Sequence, residues 1–463
     1  MRSTADSGRS WLGGRGAITL PRRGASSSSH PPRLDLVQNS VALIGAKIAV
    51  MGLGFVFWIV AAREFQPATV GLAAAVVSAV MLCTQLALVG LGSSFISHLP
   101  KHSGNPSALL DPTITLVAIA STAVALLFLV FSGQFLRQLA PFVVDPVAAA
   151  VFVALCVVGT LGILLDQIST ALMRGDQALV RNIVSGGVTL VHLVALAALT
   201  TAASPVAVVT AWITGGIGAV VLGYLQLRRS IAGYRYRPSV ERGISRRLLA
   251  VGFPNHLLTL TERVPGFILP IAVTELLSPL QNAHWYAAWM MAWVVYVIPF
   301  QVGMTLFAQA SDGRRDLVSS VRQGLKTSLI LGLLGASGAA VAAPLMLSLL
   351  GPEYASTATS PMRILLLGVV PVAFIQAYFA VCRATHRLKE AIVIGALSAL
   401  TGTVTAVTVG VAAGLTGMAV AWVVTQSATS VWAALRLRVL LQHTTTEGTS
   451  AGNGSTSPPV IQV

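Results

Sequence analysis

Four ionisable side chains of this 463-residue chain, Lys47, Asp166, Glu262 and Arg263, stand inside long apolar runs. A charge held at bilayer depth is costly, so each is a site candidate. Arg263 lies about 21 Å from Leu249 and about 20 Å from Leu276 at 1.5 Å per residue, too deep to snorkel to either surface. Its guanidinium is a fork of donors matched to phosphate oxygens, and Lys47 adds a point charge, so the two form the candidate substrate-binding pair. The competing reading of Arg263 is an ion pair with a carboxylate that holds the chain together. Lys47 is about 9 Å inside its run, within reach of the interface through its flexible stem, so snorkelling competes there. Glu262 points about 100° away from Arg263 on a helix and is open to Lys47 across a cavity or to a coupling ion. Asp166 is the second coupling or ion-pair candidate, although a buried hydrogen bond to backbone or Ser169 is the simpler expectation.

Other chemistry finds little support. His192 and His256 stand alone, without Cys, Asp or Glu at ligand spacing, and read as packing or hydrogen-bonding residues, so no metal site is expected. Cys83, Cys156 and Cys382 sit in apolar stretches as packing residues, with no disulfide framework or CxxC pair. Gly215, Gly216, Gly218 and Gly223 let helices approach closely and form no nucleotide loop. No catalytic residue and no cofactor are assigned.

The elements that must hold these residues follow from composition. Hydrophobic residues make up 55% and charged residues 10% of the chain, against about 25% charged in soluble proteins, which excludes a soluble enzyme. Twelve apolar runs are separated by Pro, Gly and charge clusters: 41–62, 71–92, 113–131, 147–165, 183–199, 206–225, 249–276, 285–307, 329–350, 364–380, 391–411 and 418–435. Most span a hydrocarbon core of about 30 Å as helices. The seventh, with Pro254, Pro265 and Pro270, reads as a broken helix.

The net charge of +15 is unevenly placed. With the N-terminus inside, 25 Lys and Arg fall on the inner side and three (Arg63, Arg137, Arg363) on the outer side. An even number of crossings with both termini cytoplasmic is expected. The basic loops then face anionic lipid head groups and need no nucleic acid. Residues 1–35, rich in Ser, Gly and Arg without an apolar core, read as a disordered basic cytoplasmic tail rather than a signal peptide. The remaining divisions are a lobe over 36–227, a basic linker over 228–247, a second lobe over 248–438 and a disordered tail over 439–463.

The lobes repeat one another. Ala171-Leu-Met-Arg174 answers Ala380-Val-Cys-Arg383 at an offset of 209, Ala211-Trp212 answers Ala421-Trp422 at 210, and Arg63-Glu-Phe-Gln-Pro67 answers Thr274 to Pro279 at about 212. Six crossings per copy give both copies one orientation, hence a pseudo-two-fold axis along the membrane normal with a substrate path between them. At an offset of 212 Lys47 maps to Thr259, one turn from Arg263, so the two cations share a depth.

Two parallel six-helix lobes, the Arg63-Glu-Phe-Gln-Pro-Ala-Thr-Val-Gly71 turn, Arg174-Gly-Asp176, and Gly414-Leu-Thr-Gly417-Met-Ala-Val-Ala421 before the last span resemble the polysaccharide-transporter branch of the multidrug, oligosaccharidyl-lipid and polysaccharide exporter superfamily. The resemblance covers roughly residues 36–438. It implies an all-α polytopic protein of the cell membrane, similar to O-antigen and teichoic-acid flippases, that moves a lipid-linked oligosaccharide outward by alternating access. Lys47 and Arg263 would meet the pyrophosphate. Partners would be that substrate and membrane lipids, with docking of polysaccharide-assembly enzymes left open. A Na+- or H+-coupled drug or metabolite exporter is the alternative, with Asp166 and Glu262 serving the ion. A membrane enzyme acting on polyprenyl-linked sugars is disfavoured, because the longest outer loop carries only Arg137 and Asp145 as charges.

Overall fold

The computed structural model describes residues 36–98, 106–140, 144–199, 204–311 and 317–451. The N-terminal tail, Lys101, Arg314 and Arg315 lie outside them. The first lobe holds α1 (Leu36–Glu64), α2 (Pro67–Leu88), the short α3 (Leu91–His98), α4 (Ser107–Phe135), α5 (Pro146–Ala171), α6 (Gly175–Leu199) and α7 (Pro205–Ser230). The second holds α8 (Arg242–Leu276), α9 (Pro279–Ser311), α10 (Leu317–Ser348), α11 (Pro352–Leu367), α12 (Val369–Ala384) and α13 (Leu388–Ala451). Eleven stretches are long and apolar enough to cross a membrane, α11 and α12 serving together as one. The last, α13, breaks at Gly414 (φ 68°, ψ −168°) into two crossings, which gives twelve. That backbone conformation is open essentially to glycine alone.

Helices returning from the face opposite the Arg-rich segments start alike. Pro67, Pro146, Pro205, Pro279 and Pro352 each open one, where a missing N–H costs nothing and a fixed φ is already helical. Asp145 and Ser204 add side-chain caps to Val147 N (2.9 Å) and Ala207 N (3.2 Å). Only the return into the final crossing uses Gly414 instead. By contrast α8 runs unbroken through Pro254, Pro265 and Pro270. Neighbours packed along it, α2, α9 and α13, make up for the lost backbone bonds that had suggested a break.

The centre of the bundle is built from α2 and α9. Ala73, Ala74, Ala75 and Ala79 are fully buried, small enough to bring helix backbones close without any hydrophobic drive from water. Gly71 shows the limit: a Cβ there would lie 1.8 Å from the carbonyl oxygen of Pro279. The three cysteines are buried and free.

The repeat is real, but its register shifts along the chain. The ends of α1 and α8 (Glu64, Leu276) and the starts of α2 and α9 (Pro67, Pro279) are 212 apart, and the starts of the sixth and last crossings, Pro205 and Leu415 just after the break, are 210 apart. After the fourth and tenth crossings the left-handed residues are Met173 (φ 58°) and His386 (φ 57°). The backbone bonds Arg174 N to Ser169 O and Arg387 N to Cys382 O, both 2.8 Å, coincide there at 213. Arg174 therefore matches Arg387, and the sequence pairing with Arg383 is one helical turn out of register.

Between the lobes, residues 231–241 fold back onto α4. Tyr234 and Arg237 N donate to the two oxygens of Asp111 (2.9 and 3.3 Å), and the hydroxyls of Tyr236 and Thr115 lie 2.9 Å apart. Burial and the Asp111 carboxylate push the Tyr234 phenol pKa up. At both ends of the expected 228–247 linker the chain is helical, and α13 runs to Ala451, past the expected lobe boundary at 438.

Candidate functional site

Lys47 stands on α1 of the first lobe and Arg263 on α8 of the second, each with exposed surface. Arg263 is enclosed by protein yet keeps exposed surface, as a side chain does in a recess. Lys47 is exposed, and its charge is felt by that of Arg263. Neither has a hydrogen-bond or ion-pair partner among the described residues. Two cations near one another, with Glu262 of α8 the carboxylate whose charge reaches Arg263, leave a net positive field that an anionic ligand relieves.

At the far face the lobes are held by paired contacts. Arg63, at the end of α1, donates to the carbonyls of Leu349 (2.7 Å) and Ser348 (2.8 Å) at the end of α10. Its equivalent at an offset of 212 is Glu275, at the end of α8, which accepts from the amides of Gln138 (3.0 Å) and Leu139 (3.1 Å) just past α4. Each lobe thus reaches across to the other with an opposite charge, the cation to helix-end carbonyls and the anion to free amides. Asn282 Nδ2 donates to Gly71 O (2.7 Å) and Trp58 meets Tyr286 edge-on at 4.9 Å.

The basic half is lopsided. On one side α8 stays joined to α2 and α3: His256 to Gln85 O (2.9 Å), Ser94 Oγ to Leu248 O (2.5 Å), and Gly90 backbone to backbone with Gly252. On the symmetry-related side α1 meets the second lobe through Phe55, Trp58, Ile59 and Ala62, all in its far half. Below them Ile44, Lys47 and Ile48 are exposed. The lobes are therefore joined at the far face, and at the basic face on the α8 side, while the basic half of α1 keeps Ile44, Lys47 and Ile48 exposed.

Both carboxylates form ion pairs, one of the two roles expected of them, but with partners the sequence had not named. Glu262 does not meet Lys47; it pairs with Arg383 at 3.2 Å, both side chains 6% exposed, and accepts from Gln376 (3.1 Å). The 100° between neighbours on α8 turns Glu262 into its own lobe and leaves Arg263 on a different face. Asp166 is bound neither to backbone nor to Ser169 but to Arg181, with Asn182 at 3.3 Å. Ser169 itself lies beside Arg181 (3.3 Å), which also donates to Gln226 (2.7 Å). Sequence reasoning counted Arg181 and Arg383 as loop charges. The available signal was that each falls within a helix, Arg181 six residues into α6 and Arg383 in the last turn of α12. His192 bonds Thr214 (2.8 Å), and with His256 behaves as the hydrogen-bonding residue expected.

Each lobe also contains an internal pocket, and the two are symmetry-related. In the first lobe a cavity of about 260 Å³ is lined by Val50, Gly54 and Phe57 of α1, with Gly159 and Gly162 of α5 among its walls and Asp166 at its basic end. In the second the equivalent cavity is about 50 Å³. Val372 and Ile375 stand where the first lobe has Gly159 and Gly162, Gln426 replaces Gly216, and Trp293 replaces Met81. Trp289, in place of Val77, stacks between Trp285 (5.9 Å) and Trp293 (6.5 Å) and meets Trp422 edge-on (5.3 Å).

The profile of a family described as polysaccharide biosynthesis protein matches residues 36–310. The chain belongs to this family. Its fold is similar to that of an inward-facing multidrug resistance MATE transporter of the MOP superfamily, 14% identical over 88% of this chain and 98% of that one, with a TM-score of 0.67. It is also similar to the lipid II flippase MurJ in an inward closed conformation, 13% identical over 87% of each chain, TM-score 0.61. A third likeness is a MOP superfamily transporter from Pyrococcus furiosus described as having a binding pocket of reverse polarity, 15% identical over 89% and 99% of the chains, TM-score 0.56. No curated protein matches the sequence. The family match and the stretches long and apolar enough to cross a membrane make this a multi-pass membrane protein of the polysaccharide biosynthesis family, with the fold seen in the MATE and MurJ structures.

Proposed function

We propose that the chain flips a lipid-linked oligosaccharide bearing a pyrophosphate from its basic, cytoplasmic face to the outer face of the cell membrane. What supports this reading is the pair Lys47 and Arg263, exposed cations with no hydrogen-bond or ion-pair partner among the described residues; we place them in a space closed at the far face and open sideways between α1 and α9. A sideways opening suits a substrate whose tail stays in the bilayer while its charged head enters water. The bidentate fork of Arg263 suits phosphate oxygens, and release requires only that the far-face contacts part. Asp166 and Glu262 are each engaged by an arginine, which speaks against their serving a coupling ion.

The drive then comes from the substrate's own charge. Moving about two negative charges outward against an inside-negative potential is downhill by about 2.3 kcal/mol per charge per 100 mV. In proteoliposomes with an imposed potential, Arg263→Ala is expected to abolish translocation of a labelled lipid-linked oligosaccharide, and Arg263→Lys to keep part of it. Unchanged transport by Arg263→Ala would overturn the site. Indifference of the unaltered protein to the sign of the potential would overturn the driving force.

A further inference from the structure

The pocket inside the first lobe is unused by the reading above, and three observations say what fits it. Its position comes first. Lys47, Val50, Gly54 and Phe57 fall on one face of α1 at 100° per residue. The last three line the pocket, so Lys47 stands at its rim, on the basic side. An anion held by Lys47 and Arg263 has the pocket mouth one helical turn away.

Its chemistry comes second. The walls are mostly aliphatic, aromatic or glycine; the polar Asn182, Ser185 and Thr189 among them already donate to Asp166, Gly215 O and Ser185 O, and the one charged group, Asp166, is paired with Arg181. The pocket therefore offers an apolar interior with no net charge, unsuited to a sugar or a free ion and suited to hydrocarbon.

The third observation is that the cavity is hollow in one copy of the repeat and filled in the other. Val, Ile, Gln and Trp of the second lobe replace Gly, Gly, Gly and Met of the first, and the space falls from about 260 to about 50 Å³. A Cβ on Gly54 or Gly162 would meet nothing within 4 Å, so neither glycine is there for close helix packing. An apolar void forgoes packing on all its walls, and the second lobe shows that the fold accepts a filling.

We propose that the first-lobe pocket binds the hydrocarbon next to the phosphate of the lipid carrier, while Lys47 and Arg263 hold the phosphate itself. This rests on the phosphate reading of the central cavity and extends it to the other end of the ligand. The carrier is then gripped at two points on α1, and the tail segment beside the phosphate travels with the first lobe rather than lying free in the membrane.

The test uses the full chain in lipid nanodiscs and three probes: inorganic pyrophosphate, geranyl diphosphate and straight-chain decyl diphosphate. The unaltered protein is expected to bind geranyl diphosphate about tenfold or more tightly than pyrophosphate, a modest return for burying its chain. Equal gains from both chains would identify any hydrocarbon as the ligand; a gain confined to the geranyl chain would identify an isoprenoid. Gly162→Ile, the residue of the second lobe, and Gly54→Leu each fill the pocket. Both are expected to cut the chain's gain to about threefold or less while leaving pyrophosphate affinity unchanged, which also reports that they fold. If the chain confers the same gain in both filled variants, or none in the unaltered protein, the pocket assignment is overturned and the phosphate site stands. If pyrophosphate fails to bind, or binds equally in Arg263→Ala, the phosphate reading falls and this inference with it.

Discussion

One ancestral pattern of six crossings appears twice in this molecule, and the copies have diverged in their interiors more than in their backbones. The first lobe keeps glycine at 54, 159, 162 and 216 and is hollow; the second puts Val372, Ile375 and Gln426 at three of those positions, keeps Gly266 at the fourth, adds Trp289 and Trp293, and is nearly solid. Their charges have diverged as well. In the second lobe Glu262 and Arg383 are both sealed from water, whereas in the first Arg181 is sealed but Asp166 borders the cavity with its side chain 38% exposed. Rocking needs two rigid bodies, and either a packed aromatic core or a buried polar network supplies rigidity. The second lobe has both, which leaves the first free to hold an adaptable pocket.

Breaking the second lobe's ion pair should have the largest effect on stability. Glu262→Gln strands Arg383 in a dry site and is expected to cost about 3–5 kcal/mol. Asp166→Asn leaves Arg181 with Gln226, Ser169 and a wet pocket nearby, and should cost nearer 1–2 kcal/mol. Thermal unfolding of both proteins in one detergent checks the order, and equal shifts would erase the distinction between the lobes. Next comes hollowing the solid lobe. Trp289→Val, which installs the residue of the first lobe, is expected to cost about 3 kcal/mol through the cavity it leaves. It should confer no binding of geranyl diphosphate, because Thr259 stands where the first lobe has Lys47. A gain of binding would show that hollowness alone makes the site. The smallest effect is expected at the far face. Arg63→Ala or Glu275→Ala should each weaken closure by about 0.5–1 kcal/mol, two- to fivefold in population. Faster labelling of a cysteine at Asn282 from that side would report it. A much larger effect from one than from the other would mean that the lobes do not share the closure equally.

Much of the fold could be read from the sequence because hydropathy reports exposure to lipid and the repeat reports the two-lobe plan. Lys47 and Arg263 were legible for that reason: a charge deep in an apolar run stands out. Arg181 and Arg383 were not, since an arginine close to a run's end looks the same whether it turns out to water or back into the bundle. Their capture of Asp166 and Glu262 depends on helix rotation, which no span count records. The register was misjudged for a related reason. Arg174 and Arg383 sit in similar strings of residues, but Met173 and His386 fix where each helix stops, and a left-handed turn residue leaves little trace in composition. The glycines of the hollow lobe were visible only as packing residues, because whether a missing side chain admits a neighbour or leaves a void is decided by what lies opposite.

Arg63 and Glu275 close the far face by gripping backbone, not side chains. Substitutions at Gln138, Leu139, Ser348 or Leu349 leave the gripped atoms in place, proline at 138 or 139 excepted, since it removes an amide. Genetic control of these two charged grips on the far face is consequently concentrated in two codons. A selection for variants that leak or stall at this face should return changes at 63 and 275 far more often than at the positions they touch, and second-site suppressors should not arise by charge reversal in the opposite lobe.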